Sequence, residues 1–546
     1  MRNRPHGMAL LLRIFGCVFF LLTVTALWQC AKRGTPTGGP KDEKGPVLLS
    51  AEPANYTTGF KAKRIRLYFD EYIRLKDIQN QLIASPPLKY QPEITPQGGT
   101  AKYVQIIIKD TLKENTTYTL NFGQSIVDNN EENPNNYLTY VFSTGDHLDS
   151  LMVAGVVKDA FNLEADEFIS VMLYEIDTAY TDSVIYKKPP NYITNTLDST
   201  TIFRLQNLKA GKYALMAIKD EAKNNMFDPL ADKIGFTRDT VELPTDTTYL
   251  LSLFREIPGY SMVTPSMVSA NRIIFGYRGG DEQIMIEPLT PLPDTVRTMV
   301  AKQQGKDSLN FWFTPFETDS IVFKVTNQKE MQQDTFTVKT RKLGRDSLLL
   351  SPSHRSAINF QDTFRISANI PIRKLDSNKI TLLNRDSVAL DYKGRLDTLA
   401  NSFSIQFEKE AEQIYVVSLL PEAFIDFFGN TNDSIFYRLS TGGYADFGNL
   451  RLVIDGAPGY PLLMQLTDEK GKTLREIYAT GPREFEFLNL PPANYLVRII
   501  FDENGNRKWD TGSYLEDRQP ERVIYYPQPI EVRANWELEQ TFTLPE

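Results

Sequence analysis

Cysteine and histidine are almost missing from this chain: its 546 residues hold two of the first and three of the second. Cys17 lies inside an apolar N-terminal run, so a chain cut just before Cys30 keeps one thiol, on its own first residue. No intrachain disulfide is then possible. The histidines left after such a cut are His147, in a linker, and His354, in the polar run Ser351-Pro-Ser-His-Arg-Ser356. Neither has a second His, Cys or Glu at ligand spacing, so zinc chemistry has no support. The Gly-x-Ser-x-Gly elbow, the His-Glu-x-x-His helix and the phosphate loop are also missing. Carboxylate pairs of the glycosidase kind are available to any chain with 68 acidic residues, and so single out nothing. No catalytic residue and no enzyme activity is expected. Basic patches are lacking beyond the N-terminus, and a net charge of -8 speaks against nucleic acid.

What is present is aromatic and punctuated. There are 26 Tyr and 32 Phe, with 31 Gly and 32 Pro recurring along the chain. This composition suits many short strands joined by turns. The length exceeds one hydrophobic core and predicts about three to five domains. The N-terminus stands apart. Arg2, Arg4 and Arg13 precede an apolar run from Ile14 to Trp28, and Gln29-Cys30 follows. That order describes a secretory signal over 1–29 with lipidation of Cys30, and the run is short for a spanning helix. Residues 31–46, AKRGTPTGGPKDEKGP, cannot form a core and read as a flexible tether. A lipoprotein cysteine followed by Thr-Pro-Thr-Gly-Gly-Pro-Lys-Asp and a β-domain resembles the envelope lipoproteins of Bacteroidetes. The resemblance implies an outer-membrane anchor. In the family it resembles, surface-exposed members tend to carry acidic residues directly after the cysteine; here Ala31-Lys32-Arg33 follow and Asp42-Glu43 come late, so the resemblance implies the periplasmic face over the cell surface.

From 47 to 147 the pattern is strand-like, with Arg64–Asp70 alternating polar and apolar residues and Tyr103–Ile108 and Thr117–Phe122 rich in β-formers. Phe69-Asp70-Glu71, Leu112–Tyr118, Ile126-Val-Asp128 and Phe142-Ser-Thr-Gly145 resemble the bacterial Ig-like domains of surface-layer proteins, which implies a sandwich of about seven strands. Residues 148–254 hold the run strand, Leu-x-Ala-Gly-x-Tyr, strand, Asp. This resembles the prealbumin-like, carboxypeptidase-regulatory-like sandwich, a generally non-catalytic module. Residues 444–546 repeat it: Asn207, Leu208, Tyr213, Asp220, Asn224 and Asp228 match Asn489, Leu490, Tyr495, Asp502, Asn506 and Asp510 at a constant offset of 282. Residues 345–443 close on Phe436–Gly442 much as the first domain closes, and read as a second Ig-like domain. Residues 255–344 read as a middle β-sandwich. The expected fold class is all-β, a tandem array of about five sandwiches behind the signal peptide.

One constellation suggests a ligand. Asp502, Asn504, Asn506 and Asp510 place oxygens at positions 1, 3, 5 and 9, as the start of an EF-hand calcium loop does. Gly505 falls two places early, and Ser513 stands where a bidentate glutamate belongs. The competing reading is an Asx-bonded turn between strands. The first copy keeps Asp220, Asn224 and Asp228 with Ala222 at position 3, a weaker candidate. Apart from Ca2+, no cofactor is expected. Segment 177–201, with Tyr180, Tyr186 and Tyr192, reads as a long inserted loop and a surface for protein contact. The functional expectation is a non-catalytic scaffold or accessory subunit of an envelope complex, with an outer-membrane β-barrel transport or assembly machine as partner. The alternative is a glycan- or polymer-binding envelope lipoprotein, in which exposed Tyr and Trp stack on sugars.

Overall fold

A computed structural model describes residues 41–544, except 137, 197–200, 281–283, 304, 457–460 and 482. The proposed signal peptide, Cys30 and most of the tether lie outside the described residues. Secondary structure is almost entirely strand. The single short α-helix described covers Ile78–Gln81, and no described helix is long and apolar enough to cross a membrane. The chain is a tandem array of Ig-like β-sandwiches. It divides into two compact units, one of residues up to 82 with 90–112 and 120–142, the other of 83–89, 113–119 and 143 onward.

In the first unit, strands Leu48–Glu52, Arg64–Leu75, Ala101–Ile107 and Glu93–Thr95 lie side by side, and Ile126–Asp128 pairs with the second of them. The alternation read from the sequence is the burial pattern: Ile65, Leu67 and Phe69 are buried, and their neighbours face outward. Asp128 is buried and accepts backbone N–H bonds from Asn130, Glu131, Glu132 and Asn133. Burial raises its pKa, but those amide bonds outweigh it and leave the carboxyl below its ordinary value. The acid of the Ig-like motif is thus a loop clamp.

The second unit carries four sandwiches. Numbered along the array, the second pairs a five-stranded sheet around Gly211–Lys219 with a three-stranded sheet around Leu151–Asp159. The third joins a sheet around Arg272–Arg278 and Ser308–Phe313 to a three-stranded sheet of Ile284–Pro288, Ser320–Asn327 and Gln332–Lys339. The fourth sets a four-stranded sheet (Leu350–Pro352, Phe364–Ala368, Ser402–Gln406, Lys393–Asp397) against a three-stranded one centred on Ile414–Leu419. The fifth reproduces the second strand for strand. In each copy the central strand of the three-stranded sheet pairs antiparallel on one side and parallel, with the last strand, on the other. Each sandwich closes over its own apolar core.

Of the aromatics in Trp312-Phe313, Phe313 enters the core of the third sandwich, while Trp312 leaves that sandwich by its outer face. Trp312 is buried there against Ile370, Phe427 and Phe428 of the fourth. Segment 177–201 is less open than its sequence implies. It forms a 3-10 turn, Asp182–Tyr186, and a strand, Tyr192–Asn195, at the edge of the five-stranded sheet. Residues 197–200 of it lie outside the described residues.

Candidate functional site

The loops after Gly211–Lys219 and Ala493–Phe501 are the part of the repeat that the sequence marks for chemistry. Asp502 is buried, and its oxygens accept the backbone N–H groups of Asn506 (3.1 Å) and Arg507 (2.9 Å). Asn504 Oδ1 accepts from Asn506 N–H, and Asn506 Oδ1 from Lys508 N–H. Asp510 Oδ2 accepts the side-chain amides of Asn504 and Asn506. All four residues nominated for calcium are therefore brought together, each bonded to hydrogens of the loop itself. Among the described residues no group of three or more His, Cys, Asp and Glu is placed to hold a metal ion.

The loop's main support is a residue the sequence reading missed. Glu521 bridges it, accepting Glu503 N–H on one oxygen and Asp510 N–H on the other, both at 2.9 Å. Asp232 does the same in the first copy, accepting Glu221 N–H at 2.9 Å and Asp228 N–H at 2.8 Å. Burial raises the pKa of both carboxyls, and the amide bonds act against it. The bridged amides correspond at offset 282, but the two acids at 289, as do the strands after them: Met216 pairs with Phe236, and Arg498 with Tyr525. The second copy's loop is thus seven residues longer. A constant-offset comparison loses the match there and pairs Asp232 with Tyr514.

Those extra residues leave their own sandwich. Tyr514 packs against Phe236 (5.2 Å between ring centres) and Tyr186 (6.5 Å) of the second sandwich, over the sheet face that holds Met172, Met216 and Ile218. Its N–H donates to Glu256 Oε1, Thr511 donates to Arg255 O (2.6 Å), and Gln519 to Phe236 O (3.0 Å). Gly512 lies so close to Phe254 that an added Cβ would fall 2.5 Å from its ring. The exchange is reciprocal. Phe161 of the second sandwich stands 4.7 Å from Trp509 and 4.0 Å under the Arg498 guanidinium, and its carbonyl accepts from Tyr525 Oη at 2.9 Å. Arg498 is almost fully buried and donates to Gln465, Tyr525 and Thr473. The first copy has Met216 at the same point. The outer faces of the two homologous five-stranded sheets are thus docked on each other, each capped by an aromatic from its partner. Trp509 and Tyr186 are half-buried in this contact.

Of the two histidines, His147 is exposed beside Asp146. His354 lies between Ser353 Oγ (2.9 Å) and Asp362 (3.3 Å). These are hydrolase residue types, but each end is already engaged. Ser353 Oγ accepts Arg365 N–H, and Asp362 pairs with Arg475 of the fifth sandwich at 3.3 Å. The cluster fastens the fourth sandwich to the fifth. Two hollows remain. One, of about 650 Å3, lies between the third and fourth sandwiches beside Trp312, Asp346 and Phe428. The other, of about 690 Å3, is a polar furrow on the fourth.

A family model described as a bacterial Ig-like domain matches residues 42–144. Domains of this kind are typically non-catalytic. No curated protein matches the chain. Among solved structures it is similar to the titin domains z1z2 from a complex with telethonin, at 11% identity over 34% of this chain and 95% of that one, with a TM-score of 0.13. It is similar also to domains 1–6 of the surface layer protein SbsC, at 10% identity over 89% and 67%, with a TM-score of 0.14. The N-terminal four Ig domains of Dscam1 isoform 8.4 are similar at 8% identity over 72% and 99%, with a TM-score of 0.15. Likeness this slight carries no inference.

Proposed function

We propose that this chain is a non-catalytic scaffold of the cell envelope, an outer-membrane lipoprotein anchored through Cys30 and held on the periplasmic face. Its sandwiches then serve as an accessory subunit of a larger complex, with an outer-membrane β-barrel transport or assembly machine as the partner. The observation that carries this reading is the reciprocal docking of the second and fifth sandwiches. Tandem modules serve as flexible beads when linkers alone join them. Here Tyr514 and Phe161 lock two modules far apart in sequence, while Trp312 and the Arg475–Asp362 pair bind their neighbours. A construction that spends its aromatics and buried carboxylates on internal contacts suits a stiff spacer. The N-terminal pattern, with Cys30 as the one thiol left after cleavage, supports the anchor.

Cross-linking in intact cells, followed by identification of the attached protein, tests the reading. A recurrent barrel protein is the expected product. Recovery of the uncomplexed chain alone, or an unchanged membrane fraction for Cys30→Ser, overturns it. A second reading, binding of glycan or another polymer, has one observation in its favour: the polar furrow of the fourth sandwich.

A further inference from the structure

The outer face of the fourth sandwich's four-stranded sheet is unusual in composition. Cross-strand pairing sets two rows across it. One runs Ser351, Ser367, Ser402, Asp397, and the other Arg365, Ser404, Arg395, with Ser353 beside Arg365. The opposite face of the same strands is core: Phe364, Ile366, Phe403 and Ile405 are buried. Serine is a poor strand former with a very short side chain. Five of them make a low, hydroxyl-lined floor, and two arginines stand on the strands flanking Ser404. Adjacent strands lie about 4.8 Å apart, so the arginine backbones are roughly 10 Å apart across the furrow. Neither guanidinium has a hydrogen-bonded or ion-paired partner among the described residues. The fifth sandwich treats the same problem oppositely. Arg451 on its outer face is neutralised by Glu484 at 2.5 Å and Glu539 at 3.4 Å.

We propose that this furrow binds a segment of acidic polysaccharide. The two arginine forks meet carboxylate or sulfate oxygens of the sugar, for which planar guanidinium is the suited donor. The serine row and Asp397 meet its hydroxyls. Asp397 decides between anions. One carboxylate oxygen accepts the Ala400 N–H at 2.8 Å, and the carboxylate lines one end of the furrow, where a sugar hydroxyl can donate to it and the ionised side chain of polyglutamate cannot. The chain's net charge of -8 opposes indiscriminate attraction of polyanions, so retention must come from the local pair. This inference goes beyond the scaffold reading and stands without it.

Calorimetry on the full chain, with polygalacturonate and dextran sulfate as probes and neutral dextran as control, tests the proposal. Binding of at least one acidic probe is expected, weakened roughly tenfold by Arg365→Ser or Arg395→Ser and abolished by the pair. Ser404→Glu, which places an acid between the arginines on an exposed sheet face, abolishes it as well and guards against a misfolded arginine variant. Arg451→Ser leaves it unchanged. Absence of binding to both acidic probes overturns the proposal. So does equal binding by the double variant, or retention by phosphatidylglycerol vesicles or polyglutamate in place of the polysaccharides.

Discussion

The second and fifth sandwiches share a strand order, a register and a carboxylate-braced loop, yet they differ wherever they touch. The first copy offers an apolar face at Met216; the second carries Arg498 there. The first loop takes 13 residues to reach its bracing acid, 220–232, while the second takes 20, 502–521, and sends Tyr514 across. On the opposite sheets the contrast reverses. The outer row Ile202, Val156, Leu250 of the first copy is apolar, whereas Glu484, Val453, Thr541 occupies the same place in the second. Duplication supplied two identical shapes, and divergence at one loop and one face turned them into complementary ones. The loop brace was left alone because both copies need it to close the hairpin.

The comparison breaks most completely if the extra length is removed. Deleting residues 512–518 returns the fifth loop to the length of the second. It removes Tyr514 together with the Gly512 seat on Phe254. Each sandwich keeps its own core, so the expected result is two folded modules that no longer dock. Hydrogen exchange at Ile234 and Phe236 then rises sharply, while exchange in Leu450–Ile454 stays slow. The gentler Tyr514→Ala is expected to cost about 3 kcal/mol, in the range for truncating a buried aromatic, read from the urea midpoint of docking. Retained protection in the deletion variant would mean that Phe161 and Arg498 hold the contact unaided.

Phe161→Ala attacks the other half. It strips the ring from beneath Arg498 and from beside Trp509, leaving a nearly buried guanidinium on a void. A loss of about 2 kcal/mol is expected. Arg498→Met, which installs the first copy's residue, should recover part of it in the Phe161→Ala background. Next in size are the braces. Asp232→Asn and Glu521→Gln each replace one of two charge-assisted amide bonds, at about 1–2 kcal/mol apiece. Equal costs in the two copies would show one device used twice. A larger cost for Glu521→Gln would show that its loop also carries the docking.

Much of this is legible in the sequence. Alternation in Arg64–Asp70, the paired turn signals and the offset of 282 are local patterns, and local patterns survive translation into strands. Trp312-Phe313 shows where legibility stops. Alternation says that one of the two faces inward, but the fate of the other depends on a neighbouring sandwich that no periodicity encodes. Glu521 was hidden for a related reason. Its partner positions are set by the fold, and the insertion before it shifts the alignment by seven. Shifting the comparison to 289 after Asp510, where Ile234-Gly-Phe236 meets Val523-Ile-Tyr525, would have found it.

Acidity sharpens the comparison in a smaller way. Burial raises the pKa of Glu256, and Glu516 pushes in the same direction. The Tyr514 N–H bond and Arg518 act against them. A carboxyl whose folded-state pKa lies above its unfolded one contributes stability that is complete below the unfolded value and lost as pH rises through the folded one. From this group alone, the contact is therefore firmest in mild acid and weakens toward neutral pH. Glu256→Gln keeps an oxygen for the Tyr514 N–H but cannot ionise. Its Tm is expected to match wild type near the acid end and to exceed it at neutral pH. A difference in Tm that stays constant across the titration would remove Glu256 from the account.

The smallest expected effect concerns calcium, and it compares the two loops directly. In the fifth sandwich every nominated oxygen-bearing side chain already accepts hydrogens from its own loop, with Glu521 tying the ends. A cation would have to displace those amides, so it would need to recover several charge-assisted bonds before adding stability. The expected outcome is a Tm for the full chain that does not change between excess EDTA and millimolar calcium. Asp502→Asn should be destabilising to the same extent in both buffers, because the residue acts as a turn acceptor. A calcium-dependent rise in Tm that Asp502→Asn abolishes and Asp220→Asn does not would instead assign the longer loop as a cation site, and would make the seven extra residues part of a ligand cage as well as of a docking wedge.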